Sequence, residues 1–342
     1  MRILIIGGTR FTGPHIVRRL NELGHELLIL NRGNSGPHLH PNVKSIQIDR
    51  RQLGDHASEL RGFAPQIVLD MVPMREDDAR EVMAMFKGIA RRVIAISSQD
   101  VYRAYGVLIG LEARSPEAVP LKEDSPLREK LYPYRKQSGP EHVYYHYDKL
   151  PVERCYMGDP ELPGTILRYP MVYGPGDYQH RTFEYLKHMD DGRPAILLEE
   201  GAANWRWTKG YVENMAAGVV LAVTDPCAAG RIYNLGEREA LSEADWVRAI
   251  GRAAGWQGEV ILLPKERIPR HLVPDHNTQQ DLVTDTGRIR EELGYKELVS
   301  PDDALRRTVE WERANPPQEV DESRFDYKAE DAALSALRVK GK

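Results

Sequence analysis

The sequence predicts an α/β chain built on a doubly wound parallel sheet with a smaller C-terminal lobe. The chain opens on an apolar run, Ile3 to Ile6, that ends in glycines. Strand-like and helix-like segments then alternate as far as Tyr169, and after Pro170 the pattern loosens into Gly- and Pro-rich stretches.

A uniformly apolar, β-branch-rich run suits a central parallel strand covered on both faces. Gly7-Gly8-Thr9-Arg10-Phe11-Thr12-Gly13 follows it, and Ile16, Val17, Leu20 and Leu23 then fall at helical spacing, with Gly24 as C-terminal cap. Glu26 to Leu30 is the next strand, so one βαβ unit is complete by Asn31. Further strands are expected at Val43 to Asp49, Ile67 to Val72 and Arg92 to Ser98, separated by helical patterns such as Glu76 to Lys87. Glu141 to Met157 reads as a helix opened by Pro140 and kinked at Pro151, and Gly164 to Tyr169 as another strand. Beyond these come a helix at Val212 to Val223, a strand at Ile232 to Leu235, and helices at Glu243 to Ala254 and Asp302 to Ala314, N-capped by Ser242 and Ser300.

At 342 residues with 41% apolar content the chain has ample material for a core, and a net charge of -4 argues against wrapping a nucleic-acid backbone. The two cysteines, Cys155 and Cys227, build neither a disulfide framework nor a paired-cysteine zinc site, which fits a reducing cytoplasm. No stretch has the length of a membrane span, and the N-terminal apolar run is too short for a signal peptide. His142/His146 and His38/His40 have metal-ligand spacing but no third ligand, so they read as packed or solvated pairs and no metal is expected.

Glycines between a first strand and a first helix let the backbone approach a pyrophosphate at the helix N-terminus. Gly7, Gly8 and Gly13 occupy those places, with Thr9, Arg10 and Phe11 as further candidate cofactor contacts. NAD sites carry an acid at the end of the second strand, whereas an arginine accommodates a 2′-phosphate. Asn31 and Arg32 stand here, so the cofactor is NAD(P) with a lean towards NADP. Asp49 either accepts from the adenine amino group or ends its strand. Met71, Val72, Lys149 and Tyr169 complete the candidate cofactor set.

Hydride exchange at an alcohol needs a group that moves the hydroxyl proton near neutral pH, and a lysine cation brings a tyrosine within range. Residues four apart share a helix face, so Tyr145 and Lys149 form a candidate catalytic pair. Tyr132/Lys136 has the same spacing but lies among Pro133, Gly139 and Pro140, in a loop where spacing guarantees nothing. Ser98 ends a parallel strand, where ligands bind in this architecture, and is the third catalytic candidate; otherwise it is a strand terminus or cap.

The glycine loop, Ser98-Gln99-Asp100-Val101-Tyr102, Tyr145/Lys149 and Arg168-Tyr169-Pro170-Met171-Val172-Tyr173-Gly174-Pro175 together resemble the extended short-chain dehydrogenase/reductases, specifically the NAD-dependent epimerase/dehydratase family, over residues 1 to 315. The resemblance implies Tyr145 as acid/base, Lys149 as its activator and ribose ligand, and Ser98 on the reacting oxygen. It also implies a sugar-like small-molecule substrate, with Ser98, Asp100, Met171 and Arg206 as candidate contacts, and a homodimer through paired helices. Some residues depart from the pattern: Arg10 replaces a glycine, Met171 an asparagine and Asn214 an aspartate, and Gln99-Asp100 replaces the dehydratase Asp-Glu pair unless Glu112, Glu117 or Glu123 swings in. The Gly-Gly-Thr-Arg-Phe opening also resembles chloroplast stem-loop RNA-binding relatives.

The expected division is a Rossmann-type NAD(P)-binding domain at 1–175 and 211–240, a substrate-binding lobe at 176–210 and 241–315, and a peripheral charged tail at 316–342 that Phe325 and Tyr327 could pin down. The expected activity is epimerase-like, by transient hydride transfer on a sugar or nucleotide sugar. The alternatives are an NADPH-dependent carbonyl reductase, or a non-catalytic RNA-binding or regulatory protein. The long segment between Ser98 and Tyr145, with Tyr132-Pro133-Tyr134-Arg135-Lys136, is either a lid or a surface excursion.

Overall fold

The computed structural model describes residues 1–33 and 43–340; His38 and His40 lie outside the described residues. In chain order the first half comprises β1 (Arg2–Ile6), α1 (Thr12–Glu22), β2 (Glu26–Asn31), β3 (Lys44–Gln47), α2 (Ala57–Gly62), β4 (Ile67–Asp70), α3 (Glu76–Phe86), β5 (Arg92–Ser98), α4 (Arg103–Leu108), α5 (Lys149–Met157) and β6 (Gly164–Tyr169). The second half comprises β7 (Met171–Tyr173), α6 (Phe183–Asp190), β8 (Ala195–Glu199), α7 (Glu200–Asn204), β9 (Lys209–Tyr211), α8 (Val212–Thr224), β10 (Ile232–Asn234), α9 (Glu243–Ala254), β11 (Glu259–Leu263), α10 (Gly287–Leu293), α11 (Pro301–Ala314) and α12 (Tyr327–Lys340).

Among the described residues the main sheet has seven strands in the order β10-β6-β5-β4-β1-β2-β3. Its strand pairings are parallel. Strand order reverses between β1 and β4, so the loops after their carboxyl ends diverge and leave a crevice. Alternation along the strands builds two apolar layers: Ile3 and Ile5 face a layer shared with α1 and α8, while Leu4 and Ile6 face one shared with α3 and α5. This is the expected doubly wound Rossmann-type sheet. Two short parallel pairs, β8 with β11 and β7 with β9, belong to the more irregular second half. Ser242 and Ser300 cap α9 and α11 as expected, each accepting from the backbone N–H three residues on.

Two expectations need correction. The helix predicted from Glu141 begins only at Lys149, and Pro151 does not kink it. Asp148 is the N-cap, accepting from Leu150 N at 3.0 Å, so Pro151 falls in the first turn, where a missing N–H costs no intrahelical bond. The stretch from 316 onward is also not merely a charged flank. It forms α12, whose Glu330 is buried and whose Ala333, Leu334 and Leu337 pack against Leu197, Leu263 and Ile268. Phe325 and Tyr327 both pack on His188, as anticipated. No helix among the described residues is long and apolar enough to cross a membrane.

Candidate active site

A cleft of about 1080 Å3 runs along the carboxyl ends of β1, β2 and β4 to the end of β6. At its head Gly7 and Gly8 adopt φ of 95° and 90°, a region where side chains are strained. A methyl group on Gly13 would lie 2.3 Å from the Gly8 carbonyl carbon, so only glycine lets α1 start this close to the loop. Thr9, Arg10 and Phe11 line the cleft with them.

Asn31, Arg32 and Asp49 form one end of the cleft. The Asn31 side chain accepts from Gly33 N at 2.8 Å. Arg51 pairs with Asp49 at 3.0 Å, and this hydrogen bond holds the Asp49 carboxyl down at about 2. Arg50, Arg51, Arg75 and Arg181 join Arg10 and Arg32 on the lining, with Asp49, Asp78 and Glu141 among them, an arginine-rich wall that offers donors to a dinucleotide's phosphates. Arg50 is fixed by a bidentate pair to buried Asp70, at 2.5 and 2.6 Å. Met71 and Val72 line the cleft above β4, and Tyr169 lines its far end. The positive-φ glycines, the Gly13–Gly8 contact and the arginine wall fit a nicotinamide dinucleotide.

Beside the far end, buried polar contacts lock β5, β6 and α5 together. Ser97 Oγ donates to Glu153 at 2.5 Å, Arg168 bonds the same carboxylate at 2.7 and 3.0 Å, and Tyr102 Oη donates to Asn234 at 2.6 Å. This frame sets Ser98 opposite Tyr169 in register. Ser98 Oγ accepts from Asp100 N at 3.1 Å. One turn before Glu153 on α5, Lys149 Nζ donates to Pro73 O at 2.7 Å and Ile96 O at 3.0 Å. Burial brings that ammonium down to about 8, so the cation titrates close to neutrality.

Tyr145 does not join them. It sits in a short 3-10 turn, Val143–Tyr145, before α5 begins, and its ring faces the Arg135 guanidinium at 5.0 Å. The four-residue spacing therefore does not place Tyr145 and Lys149 on one helix face. Tyr132 has φ 57° and lies outside any helix, as expected. The tyrosine beside Ser98 and Lys149 is Tyr147, which the spacing argument passed over. Its hydroxyl donates to Asp100 Oδ2 at 2.8 Å, has the Ser98 side chain as a further hydrogen-bond neighbour, and its ring lies 5.6 Å from Lys149 Nζ. Tyr134 Oη reaches the same Asp100 oxygen at 3.2 Å and meets Tyr105 Oη at 2.9 Å. Part of the long segment after Ser98 thus lies over Asp100 as a tyrosine cluster.

Other candidates fall elsewhere. Met171 is buried in the core, while its neighbours Pro170 and Val172 line the cleft. Arg206 is spent on Asp281, at 2.7 Å, away from the cleft. Asn214 ties α8 to the 298–299 backbone. Glu112, Glu117 and Glu123 are held by the 129–130 backbone, Arg103 and Asn234 N respectively, so none swings towards Ser98. Arg181 was not anticipated; it is anchored at 2.6 Å to Asp177 and lies on the lining with Tyr178, His142 and His146.

A sequence model of the NAD dependent epimerase/dehydratase family matches residues 3–236. The chain is 25% identical over 273 residues to a 2′-dehydrokanamycin reductase of Streptomyces kanamyceticus, covering 78% of this chain and 70% of that one. An epimerase structure from Methanothermobacter thermautotrophicus superposes with a TM-score of 0.67 at 17% identity, over 92% of each chain. A Bacillus cereus UDP-glucuronic acid 4-epimerase, solved with UDP-glucuronic acid and NAD, does so with 0.66 at 19% identity, over 92% of this chain and 99% of that one. With the glycine loop at the strand-order switch and the family match spanning the whole main sheet, the chain is a member of the NAD dependent epimerase/dehydratase family.

Proposed function

We propose that the protein transfers hydride between a bound nicotinamide dinucleotide and a carbinol or carbonyl carbon of a sugar-like small molecule, oxidising and re-reducing it in epimerase fashion. The carrying observation is the continuity of the arginine-walled cleft from the glycine loop to Tyr169, which is paired in register with Ser98. In this reading the glycine loop, Met71, Val72 and Lys149 hold the dinucleotide, which supplies or accepts the hydride, and Ser98 orients the reacting oxygen. Asn31 in place of an acid, with Arg32 and Arg51 on the lining, favours a 2′-phosphorylated form. One-way carbonyl reduction is the second reading, supported by the reductase relative.

Calorimetric titration with NAD+ and NADP+ and assay of retained cofactor test the proposal. Tighter binding of NADP+, weakened about tenfold or more by Arg32→Ala, is expected. A protein that binds neither dinucleotide would defeat the reading. Retained dinucleotide with isomerised sugar and no net absorbance change selects the epimerase, and stoichiometric NADPH consumption selects the reductase.

A further inference from the structure

Asp100 and Lys149 are buried, at 2% and 5% exposure, and neither they nor Ser98 lie on the lining of the cleft, although Ile96, two residues before Ser98, and Tyr169, opposite it, do. The stretch from Pro133 to Tyr147 stands between. Its neck is pinned by Asp148, whose carboxylate accepts from Tyr132 N at 2.7 Å and whose N–H donates to Met74 O at 3.1 Å. Ends that meet in this way define an Ω-loop. Pro140, Glu141, His142, Val143 and His146 of the loop form part of the cleft wall, while its Tyr134, Tyr144 and Tyr147 rings pack on one another at centroid distances of 5.3 to 5.8 Å.

The loop is lightly fastened. Among the described residues its hydrogen bonds to the body beyond the neck come from two phenols. Tyr147 Oη donates to Asp100 Oδ2 at 2.8 Å and also neighbours Ser98, and Tyr134 Oη donates to the same oxygen at 3.2 Å and meets Tyr105 Oη at 2.9 Å. Its other bonds, such as Gln137 N to Tyr134 O and Tyr145 N to His142 O, stay local, and no residue of 133–147 belongs to an apolar cluster of the core. A segment with so few apolar anchors opens at a free energy below that of the whole fold. Beneath it Asp100 Oδ1 and both side-chain heteroatoms of Gln99 are buried without a partner, so lifting the loop gives them water or ligand in return.

We propose that residues 133–147 are a lid, latched shut by the Tyr134 and Tyr147 phenols on one carboxylate oxygen of Asp100, and that its opening joins the space over Ser98 and Lys149 to the cleft. Under the hydride-transfer reading above, on which this role rests, the closed lid bars substrate from the reaction centre. Tyr132 and Asp148 are the hinge points. Asp148 also caps α5 and pairs with buried Arg128, so the neck holds while the loop between moves. The Tyr134 hydroxyl is the part of the latch that can be removed with least disturbance, since phenylalanine keeps the ring against Tyr144 and Tyr147.

Lysine accessibility tests the lid without any ligand. The full-length protein is acetylated with acetic anhydride at about pH 8, near which burial lets Lys149 lose its proton, and each lysine is followed by mass spectrometry. Lys149 reports the lid, and Lys209 on β9, 3% exposed, reports opening of the whole fold. Tyr134→Phe raises the Lys149 rate by about tenfold, the worth of a hydrogen bond to a charged acceptor, and leaves Lys209 unchanged. Tyr105→Phe, on the body side of the same contact, raises the Lys149 rate as well. A Lys149 rate unmoved in both variants, or Lys149 and Lys209 rising together, overturns the lid. UDP-glucuronic acid, UDP-glucose and 2′-dehydrokanamycin serve as turnover probes. On any of them that the wild type converts, Tyr134→Phe lowers KM by about three- to tenfold without loss of kcat, because apparent affinity scales with the open fraction. A raised KM overturns the gating role. Failure of the wild type to bind dinucleotide in calorimetry defeats the hydride reading alone, since the lysine ranking is measured without it.

Discussion

A methyl group is the smallest change that separates a nucleotide-binding turn from an ordinary one, and Gly13 is where it would be felt. Its Cβ would meet Gly8 Cα, C and O at 2.5, 2.3 and 2.5 Å, backbone atoms that cannot rotate aside as a side chain can. Gly7 differs: a Cβ there meets Met71 and Val72 at 3.4 Å, ordinary contact, and the obstacle is its positive φ. Gly13→Ala should therefore push α1 away from the loop and displace the backbone N–H groups that would face a pyrophosphate. We expect dinucleotide affinity to fall by at least tenfold while the melt shows a loss of about 1–3 kcal/mol, the range for overpacking. Titration calorimetry and chemical denaturation on one preparation check both, and unchanged affinity would remove Gly13 from the cofactor site.

At the scale of elements, α5 shows how far sequence reasoning reaches and where it stops. The strands were legible because apolar periodicity is local: β5 and β6 lie where the pattern put them, and Gly7, Gly8 and Gly13 form the turn their spacing suggested. The end of α5 at Met157 was legible too, but not which residue begins the helix, since that depends on a distant partner. Asp148 is chosen as cap because its carboxylate also accepts from Arg128 at 2.9 Å and Tyr132 N at 2.7 Å, contacts made across a loop. The same long-range dependence hid the contact of Tyr147 with Asp100 and misplaced Arg206, whose charge is taken by Asp281. Both members of the Arg128–Asp148 pair are at most 1% exposed, so removing one leaves a buried charge unpaired. Asp148→Ala should cost about 3–5 kcal/mol of unfolding free energy, read from the denaturant midpoint. A loss under about 1 kcal/mol would mean that neither the cap nor the pair sets the start of α5.

The molecule as a whole is closed by α12, and the closure is electrostatic. Glu330 accepts from His188 Nε2 at 3.2 Å and His271 Nε2 at 3.1 Å, with Arg193 at 3.6 Å. His188 Nδ1 faces the Glu184 carbonyl at 2.7 Å. Carbonyl and carboxylate both accept, so the imidazolium, with both ring nitrogens donating, is the form of His188 that satisfies both contacts. Burial opposes that charge, but the Glu330 hydrogen bond, the Glu184 carbonyl and the charges of Glu330 and Glu184 together outweigh it, and the His188 pKa rises above 6.5. Glu330 shifts the other way: burial disfavours its carboxylate, yet the two histidines and Arg193 bring it below 4.5. A raised histidine contributes stability that is complete below its unfolded value and lost as pH climbs through the folded one. A lowered glutamate contributes stability that is present above 4.5 and lost as pH falls through the folded value. Docking of α12 is accordingly firmest in mildly acidic solution and weakens on both sides. Hydrogen exchange across α12 between about pH 5 and pH 9 should show protection falling with rising pH, once intrinsic exchange is corrected for. Glu330→Gln should lower that protection by about 2–3 kcal/mol, the worth of charged hydrogen bonds, and flatten its dependence on pH. Equal pH dependence in the variant would place the switch elsewhere than the His188–Glu330 contact.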